Sequence, residues 1–289
     1  MKSYNKLFSL LLSLIVSALV ISCDTSKRPI LEDTTPENNY VDIPTDIDWS
    51  DIGTEPTQYT LIFYPTDGSE KTVMVVDSST PTVSVKKNEY SIIIFNGTFS
   101  SHSGLTFEDV DGYKTIKASL VNATGGYADV ASYDLYTDSM DYIDITSDTT
   151  KLSFELTKTT TAFHLTAYAS SINLLSTEGN FAVVTGFAKG LYLYNNQPAD
   201  GDTISVNMPL SSLVYNTNSI VDGYLRDQTV CFGIYSSEEV TPSNNASLYF
   251  ELSSGGIINV NVDITDSIKS VNGDNERVLS VEISDINIE

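Results

Sequence analysis

The chain has 289 residues, of which 38 are acidic and 15 are basic, and its formal net charge is −23. So negative a surface repels polyanions, which argues against nucleic acid as a partner and leaves no basic patch for phosphate groups. The length is enough for one large domain or two of ordinary size, each with a substantial core.

Residues 1–22 have the composition of a secretion signal. Lys2 and Lys6 precede an uncharged apolar run of about fifteen residues, from Leu7 to Ile21. That run is shorter than the roughly twenty residues that a membrane-spanning helix needs. We therefore predict that residues 1–22 are a signal peptide that is removed on export.

Cys23 follows the signal and is the predicted lipidation site. Val20-Ile21-Ser22-Cys23 resembles the lipobox of bacterial lipoproteins, in which the cysteine receives a diacylglycerol and the new amino terminus is acylated. The resemblance implies a palmitate-bearing lipoprotein, anchored in the outer membrane through Cys23 and exposed at the cell surface. Several acyl chains make a durable anchor, because each buried methylene contributes ~0.8 kcal/mol. The alternative is an ordinary cleavable signal with an incidental cysteine.

The next segments are a predicted linker and a predicted first domain. Residues 23–45 are polar and interrupted by proline, which predicts a flexible tether. From Tyr59 onward, short runs rich in β-branched and aromatic residues predict strands. The runs 59–64 and 71–76 flank a turn sequence and predict a hairpin. Residues 46–147 are therefore predicted to form an N-terminal β-sandwich.

A polar stretch near residues 146–150 marks a predicted domain boundary. Beyond it, strand-like runs continue at roughly ten-residue spacing, as is typical of sandwich domains. Residues 148–289 are predicted to form a C-terminal β-sandwich. Neither half has sustained helical spacing, so the predicted fold class is all-β, with two tandem antiparallel sandwiches.

Several stretches carry a resemblance to a known family. They are Ile47–Ser50, Leu61–Gly68, Glu89–Asn96, Thr160–Tyr168 and Gly186–Gly190. These stretches are similar to Bacteroidales surface lipoproteins of the fimbrillin-associated anchor and fimbrillin-like group. The resemblance implies transthyretin-like, Greek-key sandwiches, with fimbrial subunits or another surface protein as partners. A partner can add a strand to an open sheet edge, which offers unpaired N–H and C=O groups.

Candidate catalytic groups are few and scattered. His102 lies in a predicted loop and His164 on a predicted strand, and neither has the spacing of a metal ligand pair. For each, a structural hydrogen bond is the favoured interpretation. Cys231 lies in an apolar run, where a small buried hydrophobe is favoured over a nucleophile. Carboxylates cluster in residues 108–112 and 138–144. The first cluster resembles half of a calcium loop but lacks its later glutamate, so a turn with solvated acids is favoured.

The sequence therefore predicts no enzyme, no cofactor and no metal site. The leading hypothesis is a non-catalytic, lipid-anchored envelope protein that serves adhesion or fimbrial anchoring by protein–protein contact. The alternative is a glycan-binding lipoprotein of a polysaccharide-uptake system, because Trp49 and some of the 17 tyrosines could stack on sugar rings. A hydrolase is a third hypothesis and would need a histidine, a carboxylate and a serine to meet.

Overall fold

The structure is a computed structural model. It describes residues 39–50, 55–79, 82–121, 127–128, 134–147, 150–199, 203–219, 221–235, 243–273 and 276–288. Within these segments almost all regular structure is β-strand, with a short 3-10 turn at Ile172–Leu174. The predicted all-β class is confirmed. The predicted signal peptide, Cys23 and most of the predicted tether lie outside the described residues.

The described residues before position 160 contain eleven strands. They are β1 (Tyr40–Asp48), β2 (Gln58–Pro65), β3 (Thr72–Asp77), β4 (Thr82–Lys86), β5 (Asn88–Asn96), β6 (Leu105–Glu108), β7 (Lys117–Leu120), β8 (Tyr127–Ala128), β9 (Tyr136–Ile145), β10 (Leu152–Glu155) and β11 (Thr157–Lys158). A five-stranded sheet has the order β11-β9-β5-β2-β3, and a three-stranded sheet has the order β10-β1-β4. The predicted hairpin is confirmed, because β2 and β3 pair antiparallel.

The first strand begins before the predicted end of the tether. β1 starts at Tyr40, and Val41, Ile43 and Thr45 are buried between exposed neighbours. This alternation places one side of β1 on a core although the segment contains Pro44 and is rich in polar residues. The exposed polar residues of β1 and its proline made the segment look like a linker by composition, so this strand was not predicted from the sequence.

The five-stranded sheet of the first half is covered on both faces. In β2, Leu61 and Phe63 face the smaller of two cores, whereas Ile62 and Tyr64 face the larger one. Burial on both faces explains why β2 is a continuous apolar run, since a strand with one wet face alternates apolar and polar residues.

Eleven more strands lie in the described residues of the second half. They are β12 (Thr161–Ser170), β13 (Phe181–Ala188), β14 (Gly190–Tyr192), β15 (Gln197–Pro198), β16 (Thr203–Pro209), β17 (Ser212–Tyr215), β18 (Gly223–Cys231), β19 (Asn245–Glu251), β20 (Ile257–Asp263), β21 (Lys269–Gly273) and β22 (Glu276–Asn287). Two five-stranded sheets, β17-β18-β12-β22-β21 and β20-β19-β13-β16-β8, contribute to one core. Phe163 and Phe187 meet within it, with ring centroids 5.0 Å apart. Most pairs are antiparallel, but β1–β10, β12–β22 and β8–β16 are parallel.

The two halves are joined by shared structure. A four-stranded sheet of order β15-β14-β7-β6 takes two strands from each half. Ile116, Ala118 and Leu120 of the first half belong to the same core as the second-half residues. Strands β10 and β11 also pair with β1 and β9, so hydrogen bonding to the first half runs to Lys158. The division into domains at residues 147 and 148 stays a prediction.

Candidate interaction surfaces

His102 is held inside an aromatic cluster. Its Nε2 donates to the carbonyl oxygen of Asn96 at 2.6 Å. Phe95, Phe99 and Phe107 form the cluster around it. Burial lowers the pKa of His102 from 6.5, and the Asn96 hydrogen bond opposes this in part. The imidazole is therefore a neutral structural group.

His164 and Cys231 lie on neighbouring strands but have separate surroundings. His164 is half-buried on β12 and pairs in register with Gln228 of β18. Cys231 is fully buried and its thiol contacts the carbonyl oxygen of Thr161 at 3.5 Å. Burial raises the pKa of the Cys231 thiol to about 12, which makes it a poor nucleophile.

Most of the carboxylates noted in the sequence have hydrogen-bond or ion-pair partners. Lys117 Nζ lies 3.2 Å from Glu108 and 3.7 Å from Asp109, and Lys71 pairs with Asp111. Asp138 accepts from the backbone N–H groups of Ser139 and Glu155, at 2.7 and 2.8 Å. Over the described segments, no group of three or more potential ligands is placed to hold a metal ion.

The edge strand β20 is the clearest candidate interaction surface. It pairs with β19 over its whole length, and no other described strand pairs with its second side. Ile257 is 74% exposed, whereas Ile258, Val260 and Val262 pack against the core. The strand contains no proline or lysine, the residues with which proteins often block an edge. It can therefore template an added strand.

Strand β3 is a second edge with exposed apolar side chains. Val73 and Val75 are 43% and 50% exposed and lie on the same face, two positions apart. Their partners on β2 are Ile62 and Thr60, both buried. The exposed valines thus extend the apolar surface of the sheet beyond its covered part.

Trp49 is a cap on the smaller core. Its ring centroid lies 5.9 Å from that of Tyr59, and the side chain is half-buried against the cluster. On the sequence alone Trp49 could stack on a sugar ring, and this packing favours a structural cap instead.

The described part of the chain thus defines a class, a sheet-built protein with open edges. His102 and Cys231 are buried in it. His164 lines a groove with Ser212 and Asp227, the residue types that a hydrolase would need, but among the described residues no hydrogen bond joins His164 to either of them. The chain belongs to the DUF5119 family, a domain of unknown function, whose sequence profile matches residues 31–207. Among curated proteins none is significantly similar in sequence. Within the described segments, helices with the length and apolar character of a membrane span are absent.

Solved structures share the fold. A Bacteroides ovatus protein described as an adhesin candidate is 16% identical with a TM-score of 0.67, over 91% of this chain and 96% of that chain. A candidate polysaccharide-binding protein from Bacteroides thetaiotaomicron is 10% identical with a TM-score of 0.52, over 84% of this chain and 89% of that one. The expected likeness to Bacteroidales surface proteins is confirmed at the level of fold.

Proposed function

We propose that the protein is a non-catalytic component of the cell envelope that acts in adhesion or fimbrial anchoring by protein–protein contact. The observation that carries this proposal is the edge of β20, with whose second side no other described strand pairs. A partner strand that pairs there gains backbone hydrogen bonds along the edge, and the exposed Ile257 adds apolar contact. The exposed valines of β3 offer a second contact surface.

The proposed place of action is the outer face of the outer membrane, with Cys23 as the lipid attachment point. The support is the leader and the lipobox-like residues before Cys23. Growth with a labelled fatty acid should mark the wild-type protein and leave Cys23→Ser unmarked. Protease treatment of intact cells should remove the protein. Protection of the whole population would contradict a surface location, since an inward-facing protein cannot contact a fibre outside the cell.

The edge of β20 can be tested with a matched pair of substitutions. In a strain that lacks the gene, the wild-type chain should restore fibre attachment or cell adhesion, and Asn259→Lys should fail to do so. Asn245→Lys on β19 is the control, because β19 is paired on both sides and Asn245 is also exposed. Equal activity of the two variants, at equal surface amounts, would remove β20 as the contact surface. Unchanged fibres and adhesion on deletion would remove the proposed function itself.

A further inference from the structure

A groove on the first half is separate from the open edges of β3 and β20. It has a volume of about 500 Å³ and lies between the turn that joins β2 to β3, the loop around residues 111–114, and strands β5 and β9. Small-molecule sites in proteins have volumes of about 300–1,000 Å³ and combine apolar rings with a few polar groups. Tyr64, Tyr113 and Tyr142 provide the rings.

Tyr142 is presented to this groove by a bulge. Tyr90 of β5 pairs with Ile143, but Ile92 pairs with Met140, so β9 carries an extra residue at this point. Tyr142 has a φ of 54° and is 64% exposed. A left-handed conformation is unusual for a bulky residue, and bulges commonly redirect a side chain beside a binding site. The strained backbone thus keeps the aromatic ring of Tyr142 in solvent, where the ring does not contribute to core packing.

The floor of the groove is ordered. The Tyr64 hydroxyl donates to the carbonyl oxygen of Val110 at 3.1 Å, and the ring centroids of Tyr64 and Tyr113 are 5.9 Å apart. Ser91 donates to Asp141, beside Tyr142 in the bulge, at 3.2 Å. These contacts fix the surroundings of Tyr142 before any ligand arrives, which lowers the entropic cost of binding.

The charges of the groove favour a neutral ligand. Lys71 is paired with Asp111, Lys114 also lines the groove, and Asp141 accepts a hydrogen bond from the lining residue Ser91, so two lysines and two aspartates lie in or directly behind the groove wall. A balanced set of donors and acceptors suits hydroxyl groups better than a phosphate or a carboxylate, which needs uncompensated positive charge. A peptide strand is not favoured at β2 and β5, which are paired on both sides. β9 pairs with β11 only at Tyr136 and Thr137, and the bulge at Tyr142 makes the rest of its second side a poor template for an added strand.

We propose that this groove binds a neutral oligosaccharide, with one sugar ring stacked on Tyr142 and its hydroxyl groups bonded to the Lys71–Asp111 pair and Lys114. The amphipathic face of a pyranose matches a tyrosine ring, which is apolar on its face and polar at its tip. This site is independent of the protein contact proposed at β20, and either can fail without the other.

The test uses the folded, signal-less protein and neutral trisaccharides of glucose, mannose, xylose and galactose as probes, followed by titration calorimetry and ligand-observed NMR. At least one probe should bind with a Kd between about 10 μM and 10 mM. Tyr142→Asn should weaken that binding at least about fivefold. Asparagine tolerates the left-handed backbone, so the melting temperature should be unchanged or higher. Tyr40→Asn is the control, since Tyr40 is also an exposed tyrosine, at 57%, and does not line the groove.

A second variant, Lys114→Ala, tests the rim without touching the bulge and should also weaken binding. The absence of binding by all four trisaccharides would overturn the proposal. So would an affinity that Tyr142→Asn and Lys114→Ala leave unchanged, or stronger binding of an acidic trisaccharide or a peptide at this groove. None of these results would bear on fibre attachment through β20.

Discussion

The imidazole of His102 is buried with only one of its nitrogens in a hydrogen bond. Because the Asn96 carbonyl can only accept, Nε2 carries the proton and Nδ1 is left as an unpartnered acceptor. Protonation of Nδ1 would bury an unpaired N–H and a charge together, which is costly. This explains physically why the pKa is lowered.

The pH dependence of stability should follow from His102. With a folded pKa below the unfolded value of 6.5, the unfolded state binds more protons as pH falls below 6.5, so stability decreases. His102→Gln keeps a donor for Asn96 and should lose this part of the decrease when denaturant unfolding is measured at about pH 5 and pH 7. His164→Gln, which leaves His102 in place, should retain it. An identical pH slope in His102→Gln and wild type would contradict the assignment.

The thiol of Cys231 should be unreactive until the protein unfolds. It is fully buried and its pKa is raised to about 12, so the thiolate is scarce and inaccessible. A thiol reagent at neutral pH should label the signal-less protein only in denaturant. Rapid labelling of the native protein would show that the strand around Cys231 opens readily.

For single residues, the sequence predicted burial well where it follows from the apolar character of the neighbouring residues in the chain. It did not predict conformations that depend on pairing with a distant strand. An apolar neighbourhood marked Cys231 as a buried hydrophobe, and that prediction is confirmed. No sequence pattern indicated that Tyr142 occupies a bulge, because the bulge depends on the register of β5 against β9. Register is fixed by non-local packing, which a single sequence does not display.

At the scale of elements, the packing of β17 against β18 depends on Gly223. An added Cβ would lie 2.1 Å from the carbonyl oxygen of Val214 and 2.3 Å from Ile172. Gly223→Ala should therefore lower the free energy of unfolding by about 1–3 kcal/mol, as overpacking usually does. Gly68→Asn is the control, because the Cβ meets no atom there and asparagine tolerates its φ of 79°. Equal stabilities in chemical denaturation would show that β17 can move aside.

Strand existence could be predicted, but strand order could not. The apolar runs of β2 and β5 identified strands directly, whereas their burial on both faces depends on which sheets cover them. The open edge of β20 is likewise a property of the sheet order, since its sequence resembles that of other strands. The resemblance predicted that a partner adds a strand to an open edge, whereas which strand forms that edge follows from the sheet order.

At the scale of the whole molecule, the larger core extends across both halves. Besides the shared four-stranded sheet, Leu193 donates to the Ile116 carbonyl at 3.1 Å and Ser139 donates to the Tyr194 carbonyl at 2.8 Å. Such shared burial couples the unfolding of the halves.

We expect residues 40–289 to unfold in one thermal transition. Ile116→Ala in the larger core and Leu61→Ala in the smaller core should each lower the midpoint of that same transition, with losses of about 2–5 kcal/mol. Calorimetry would resolve two steps in Leu61→Ala if the halves were independent. Residues 148–289 expressed alone should be less stable than in the full chain, because β6 and β7 are then missing from their sheet.

The placement of β1 has a mechanical consequence. β1 is the first described strand after the proposed lipid anchor, and it lies between β4 and β10, hydrogen-bonded to both. If drag on a bound fibre pulls against the lipid, tension enters the folded part at Tyr40. Residues 40–44 pair antiparallel with β4 and residues 45–48 pair parallel with β10, so tension that enters at Tyr40 loads the ladder with β4 first and reaches the ladder with β10 only after it.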